Sequence, residues 1–401
     1  MDAQQVFALL CIGFVLAAFD KKKEHFPLPL LLLAAGILCS FVPFFSNIEV
    51  TRDLIFDWFL PALLFVAAYQ FPYRDLKKDA GLISTLATIG LLLTFILLGI
   101  SLYILLSPFL EVSLVACLLI AAMLTPTDPV SVVTILKQTG PQEAADIVEG
   151  ESLLNDGTSI VLFTLMSTMY FESQQFSINS FLIDFLLVTF SGAAIGLIIA
   201  FLANKWMHLI KDNEYHIFLS LLLAYISFYI AESLQVSGIL ATVAAGLFLS
   251  RHFHVNGDKE VKERLDGFWG IIELLMICLV FLLIGIAGGQ QPYISYLYYI
   301  LAGFLLMIAA RYIVLALIMY LIPFWRHRFH FQDYLILGWG GMKGTISLAL
   351  LLGLNAGGKN SEVIFTLTFG IVFLSIFIQS LTMYPITRKL KAQEQKKKES
   401  S

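Results

Sequence analysis

The sequence predicts an all-α polytopic membrane protein with about thirteen transmembrane helices, built as two inverted-topology repeats with crossed discontinuous helices. Three observations predict it. The 401 residues are 59% hydrophobic and only 13% charged, against roughly 25% charged in an average soluble domain. Apolar stretches recur at the length of about 20 residues that spans a hydrocarbon core about 30 Å thick. Helix-breaking residues fall at matching positions in the two halves of the chain, at Pro126 and Pro129 and again in the glycines around Lys343.

In order, the spans read 3–19, 26–45, 54–72, 80–107, 109–137, 148–171, 178–204, 216–234, 236–250, 268–289, 293–322, 333–357 and 362–387. The first is not a cleavable leader, because Lys21, Lys22 and Lys23 follow its apolar run instead of preceding it. Only a short polar break separates the eighth span from the ninth. Residues 1–388 thus form one transmembrane domain: repeat one over about 1–171, a linker helix over about 178–204, and repeat two over about 216–387. Residues 389–401 are a short charged cytoplasmic tail, expected to be a solvated string without fixed structure.

Lys and Arg fix the orientation. Of the 25, Arg311 and Lys343 lie within spans and Arg52 and Lys359 fall in one set of loops. All the others, from Lys21 to Lys398, fall in the opposite set or in the tail. The N-terminus is therefore expected outside and the C-terminus in the cytoplasm. Cys11, Cys39, Cys117 and Cys278 sit singly in apolar runs and read as free core cysteines. The seven histidines (His25, His208, His216, His252, His254, His327, His330) lie near span ends, which argues against a metal cluster.

Ionisable residues at membrane depth are functional candidates. In "LTPTDPVSV", Pro126 and Pro129 bracket Thr127 and Asp128. Each proline removes an amide donor and clashes with the preceding turn, so the helix should open and leave carbonyls free beside a carboxylate. Carbonyls, a hydroxyl and a carboxylate are what a small hard cation takes as ligands. In "GESLLNDGTSIVLF", Ser152 and Asp156 share one helix face, and Glu151 and Asn155 share the adjoining one. The eleventh span carries Arg311 and the twelfth carries Lys343. Asp128, Asp156, Arg311 and Lys343 each lie about 12–16 Å from the inner ends of their spans, at about 1.5 Å per residue. Four spans thus place charge at one level near the midplane.

Blander readings stand beside these. Glu151 is either half of an ion pair pinning two helices or an ion ligand. Lys343 either caps broken helix ends or faces the ion. Ser152 and Thr127 are either ligands or ordinary helix hydroxyls. Glu232, Glu273, Asp57 and Gln379 read as satisfied or cavity-facing groups. The repeat follows from span order: the Pro-broken fifth span matches the Gly-broken twelfth, seven spans on, and an odd offset inverts orientation.

At these residues the chain resembles the NhaP-type sodium/proton antiporters of the monovalent cation:proton antiporter superfamily, over essentially its whole length. "TPTDPVSV" resembles the unwound-helix motif, "GESLLNDGTSIVLF" the Asn-Asp motif, and "AESLQVSGILATVAAGLFLS" and "GWGGMKGTISLAL" two further blocks. "AARYIVL" resembles the span with the family's buried arginine. The resemblance implies that Asp156 takes the cation or the proton in turn. It implies that Asp128, Ser152, Asp156 and the Thr127 carbonyl hold Na+, that Asn155 orients the site, and that Glu151 and Arg311 pair. It further implies a homodimer in a prokaryotic inner membrane, an elevator-like motion between a dimerisation domain and a core domain, and electroneutral 1:1 exchange of Na+ or Li+ for H+. Two positions depart from the family: Val66 stands where members usually carry an acid, and Lys343 where they usually carry Arg.

Two carboxylates at one depth cannot both stay charged unaided, so proton and cation should compete for them. Potassium/proton exchange is the alternative within transport, and an ion channel or sensor the alternative outside it. An intramembrane enzyme is disfavoured: no GxGD or HExxH arrangement occurs, and no Ser/His pair shares a span at depth. No cofactor and no nucleic-acid partner is expected; the surroundings are the lipid bilayer.

Overall fold

A computed structural model describes residues 2–23, 28–45, 48, 52–128, 130–139, 142–172, 178–207, 209, 212–256, 259–289, 291–322, 325, 328–329, 331–354 and 360–399. Pro129, Lys211, Arg326, Lys359, His25, His208, His327 and His330 lie outside the described residues.

The described chain is helical in the expected order. The helices are α1 (Ala3–Lys23), α2 (Leu28–Cys39), α3 (Leu60–Gln70), α4 (Tyr73–Thr85), α5 (Leu91–Leu110), α6 (Leu114–Leu124), α7 (Val130–Thr139), α8 (Gln142–Phe171) and α9 (Ile178–Met207). They continue as α10 (Asn213–Ser233), α11 (Gly238–Asn256), α12 (Lys259–Gly288), α13 (Tyr293–Leu321), α14 (Phe331–Trp339), α15 (Thr345–Leu352), α16 (Ser361–Leu374) and α17 (Ser380–Glu399). Wide π-helical turns at Leu54–Phe59, Leu86–Gly90 and Ser375–Gln379 lead into α3, α5 and α17, so these spans run on without a loop.

Among the described residues, seven helices are long and apolar enough to cross a membrane on their own. The other expected spans fall short for separate reasons. Leu28–Cys39, Leu54–Gln70 and Gly238–Phe253 are apolar but shorter. The fifth and twelfth spans are each split in two, as α6/α7 and α14/α15. α8 is long enough but carries Glu149, Glu151 and Asp156. Large apolar side chains stay exposed along α1, α9 and α13, among them Phe14, Phe190 and Ile294, as a lipid-facing surface requires.

Two breaks are local chemistry. Pro126 stops α6 at Leu124, and Asn155 and Lys343 take up the Thr125 carbonyl that no longer has a helical partner. In the twelfth span, Gly340, Gly341 and Gly344 surround Met342 and Lys343 in non-helical backbone. The two breaks touch: the Asp128 amide donates to the Met342 carbonyl at 2.8 Å. The discontinuous helices therefore cross as the sequence predicts.

Around Trp269, a buried cluster joins Phe65, Val66 and Tyr69 of α3 to α9, α10, α11 and α12. Another joins α7 and α8 to α13 and α14 through Val132, Val148, Leu315 and Leu337. α2 lies along α12, where Gly36 and Gly285 meet backbone to backbone; a Cβ on Gly36 would stand 2.8 Å from the Gly285 Cα. One expectation fails. The tail continues as helix through Glu399 instead of leaving the last span as an unstructured string. Its Ala, Gln, Glu and Lys residues are good helix formers, and extending an existing helix avoids the cost of nucleation.

Candidate functional site

The crossing of the breaks gathers the predicted residues. From the first break come Thr127 and Asp128; α8 brings Glu151, Ser152, Asn155 and Asp156; the second break brings Lys343. All are buried, and Arg311 of α13 reaches them from the side.

A cavity of about 280 Å³ leads to this point, with Thr127, Asp128, Ser152, Asp156 and Thr345 on one wall. The facing wall is Leu63, Leu64, Ala67 and Gln70 of α3 with Glu273 and Ile277 of α12. Ala67, Gln70 and Lys137 are its exposed lining residues, and Lys137 pairs with Glu149, also in the lining, at 2.8 Å. A second cavity of about 340 Å³ lies beyond α15, lined by Gln291, Leu351, Leu352 and Glu362 among others. Thr345 and Ile346 face the first cavity and Leu351 and Leu352 the second, so the eight-residue α15 separates them.

Each side chain is held by the broken backbone. Asp128 Oδ2 accepts from the Thr345 amide at 3.0 Å and from its hydroxyl at 3.1 Å, which caps the start of α15. Ser152 donates to the Thr127 carbonyl, so two of the expected ligands bond each other. Asp156 Oδ1 is buried and has no hydrogen-bond partner among the described residues. Asn155 Nδ2 donates to the Thr125 carbonyl at 3.2 Å and its Oδ1 accepts from Ser159 at 3.0 Å. Asn155 thus braces the first break and does not line the cavity.

Glu151 and Arg311 form the expected pair. Arg311 Nη2 donates to Glu151 Oε2 at 2.6 Å, and Nη1 donates to Oε1. The fork is bidentate, the geometry in which Arg–carboxylate pairs are strongest. Lys343 resolves toward capping: its Nζ donates to the Thr125 carbonyl at 3.1 Å. Its own amide donates to Ser375, which donates to Gln379, which returns a bond to the Trp339 carbonyl at 2.9 Å. Gln379 therefore ties the second break together.

Three residues were not singled out as site residues by sequence. Thr345 looks like any hydroxyl after a glycine, although its place at a helix start marks it as a cap position. Ser375 and Gln379 lie on the last span and meet the site only through folding. Val66 packs in the Trp269 cluster, away from the cavity lining. Among the described residues no group of three His, Cys, Asp or Glu could hold a metal ion.

At the basic end of the bundle, Arg328 bridges Asp79 at the start of the fourth span and Glu143 at the start of α8; the Asp79 contact is 2.5 Å. The hydrogen bond from Arg328 holds the Glu143 carboxyl below its ordinary range.

A family model described as "Sodium/hydrogen exchanger, transmembrane" matches residues 6–389. The Na(+)/H(+) antiporter NhaH of Halobacillus dabanensis is 29% identical over 96% of this chain and 97% of its own length. The antiporter ApNhaP of Aphanothece halophytica is 30% identical over 97% of this chain and 75% of its own. NhaP of Pseudomonas aeruginosa is 31% identical over 85% and 82%. Among solved structures, the sodium proton antiporter MjNhaP1 of Methanocaldococcus jannaschii superposes with a TM-score of 0.81 at 20% identity, covering 97% of this chain and 98% of the other.

Proposed function

Because the chain belongs to the sodium/hydrogen exchanger family, as an NhaP-type member, we propose that it exchanges Na+ or Li+ for H+ across the cell membrane by alternating access. The observation that carries this reading is that Asp128 and Asp156 share one cavity whose lining reaches the exposed Lys137 at the basic end, while a separate cavity lies against the far end of α15. With the basic end in the cytoplasm, that is an inward-facing state.

Asp156 is the exchanged group. Its buried oxygen lacks a donor, so it takes a proton or a cation. Asp128, the Ser152 hydroxyl and the Thr127 carbonyl complete an oxygen shell once Ser152 turns its proton away from Thr127. Asn155 fixes the carbonyl frame without touching the ion. Around the crossing stand three acids (Asp128, Asp156, Glu151) and two bases (Arg311, Lys343). One monovalent cation or one proton brings that set to neutrality, and a neutral set crosses a low-dielectric barrier at far lower cost than a charged one. This supports electroneutral 1:1 exchange. The division into walls supports an elevator-like motion, with α3 and α12 fixed, as part of a homodimer, and the site carried by the other wall.

The test is flux in proteoliposomes with a trapped pH dye. Pulses of Na+, Li+ and K+ are given with and without a clamped voltage. A voltage-independent Na+ or Li+ response, absent in Asp156→Asn, is expected. A K+-dominant response would reassign the substrate to potassium, conductance would mean a channel, and wild-type exchange by Asp156→Asn would sink the site.

A further inference from the structure

The cavity wall opposite Asp156 carries one acid that the exchange reading does not use. Glu273 of α12 lines the cavity beside Ile277, half-buried, and Gln70 at the end of α3 lines the cavity with it. The other acids of the cavity are Glu149, Asp128 and Asp156. Glu149 is paired with Lys137, and Asp128 is engaged by Thr345. Among the described residues, Glu273 makes no salt bridge.

Depth orders these groups. Measured from the inner ends of their spans, Glu149 lies one residue in, Glu273 five and Asp156 eight. At about 1.5 Å per residue, Glu273 stands ~8 Å deep, between Glu149 and the site. α3 supplies no acid to this wall: its lining residues are Leu63, Leu64, Ala67 and Gln70, and Val66 faces the Trp269 cluster. A half-buried carboxylate with an amide neighbour and no counter-charge draws monovalent cations into a narrow, low-dielectric passage.

Resting on the exchange reading, we propose that Glu273, with Gln70 beside it, is a second cation station on the α3–α12 wall, which receives Na+ from the cytoplasm and passes it across the cavity to Asp156 and Asp128. Glu273 belongs to the wall that does not carry the site. Its action is therefore one-sided: it serves the cytoplasm-facing state and is out of reach when the site faces outward.

The full chain is expressed in a host lacking its own exchangers, and Na+-driven proton flux is measured in everted and right-side-out vesicles. Glu273→Gln should raise the apparent KM for Na+ at the cytoplasmic face about tenfold, leave the external KM unchanged and keep the maximal rate. Glu273→Asp should restore most of the affinity. Equal KM changes at both faces, or none at either, overturn the station. Gln70→Leu, which keeps the carboxylate, should raise the same cytoplasmic KM by a smaller factor, so a poorly assembling Glu273 variant does not shield the proposal; an unchanged KM there counts against it. An inert wild type would refute the exchange reading instead. The station is then read by binding radioactive Na+ to the purified protein, where an affinity unaltered by Glu273→Gln overturns it.

Discussion

Asp128 and Lys343 cap each other's helix breaks. Asp128, from the first break, accepts the Thr345 amide at the start of α15, while Lys343, from the second, donates to the Thr125 carbonyl at the end of α6. A carboxylate thus meets the positive end of one half-helix and an ammonium the negative end of the other, the favourable sense at both.

Lys343→Met should weaken both stability and exchange. It leaves Asn155 as the side-chain donor to Thr125 and shifts the charge of the crossing by one. A loss of about 1–3 kcal/mol is expected for a buried charged hydrogen bond, read as a lowered melting temperature in detergent. Exchange should fall more than the stability loss explains, whereas Lys343→Arg should keep part of it. Flux in Lys343→Met equal to wild type would refute the charge role.

Gly344→Ala tests the contact between the breaks without removing any polar group. A Cβ there would run into the Asp128 carboxylate. The expected outcome is loss of cation-driven flux in protein that still purifies as a folded species. Full flux would mean that Asp128 can leave its cap at no cost.

The Glu151–Arg311 fork should show strong coupling in a double-mutant cycle. Removing one partner of a buried pair strands the other's charge, at about 3–5 kcal/mol. Glu151→Gln with Arg311→Met should cost less than the two single changes added together. Additive melting shifts would argue that the pair is not a unit.

Arg328→Gln should lower the melting temperature by about 2–5 °C at neutral pH, through loss of the ties to Asp79 and Glu143. Arg328 holds the Glu143 carboxyl below its ordinary value. The stabilisation is therefore present above the unfolded carboxylate value of about 4.3 and is lost as pH falls through the lower folded one. The gap between wild type and variant should be constant from pH 5 to pH 8 and narrow below about pH 4. A gap that widens on acidification would contradict the assignment.

The spans and the level of the buried charges were legible because apolar length and helical rise are set by the bilayer. The Glu151–Arg311 pair was legible because a charge at that depth requires a partner. Asp128 on Thr345 was not, since 217 residues separate them and only the crossing of two irregular segments joins them. Ser152 and Thr127 were expected near each other as ligands of one ion, but their direct bond depends on how the first break folds against α8. Glu273 could not be aimed from sequence, because α12 is apolar nearly all round through its membrane part and no stripe marks which face meets the cavity. The helical tail runs against its charge density because its residues favour helix and continue one already nucleated.

The swapped caps also bear on what kind of object travels. Each break is stitched to the other by hydrogen bonds, so the crossing behaves as a single bead. Spin labels placed across the two breaks should report one separation whether the cavity opens inward or outward. A bridge between the breaks should leave turnover intact, and a bridge from α12 to α15 should freeze it.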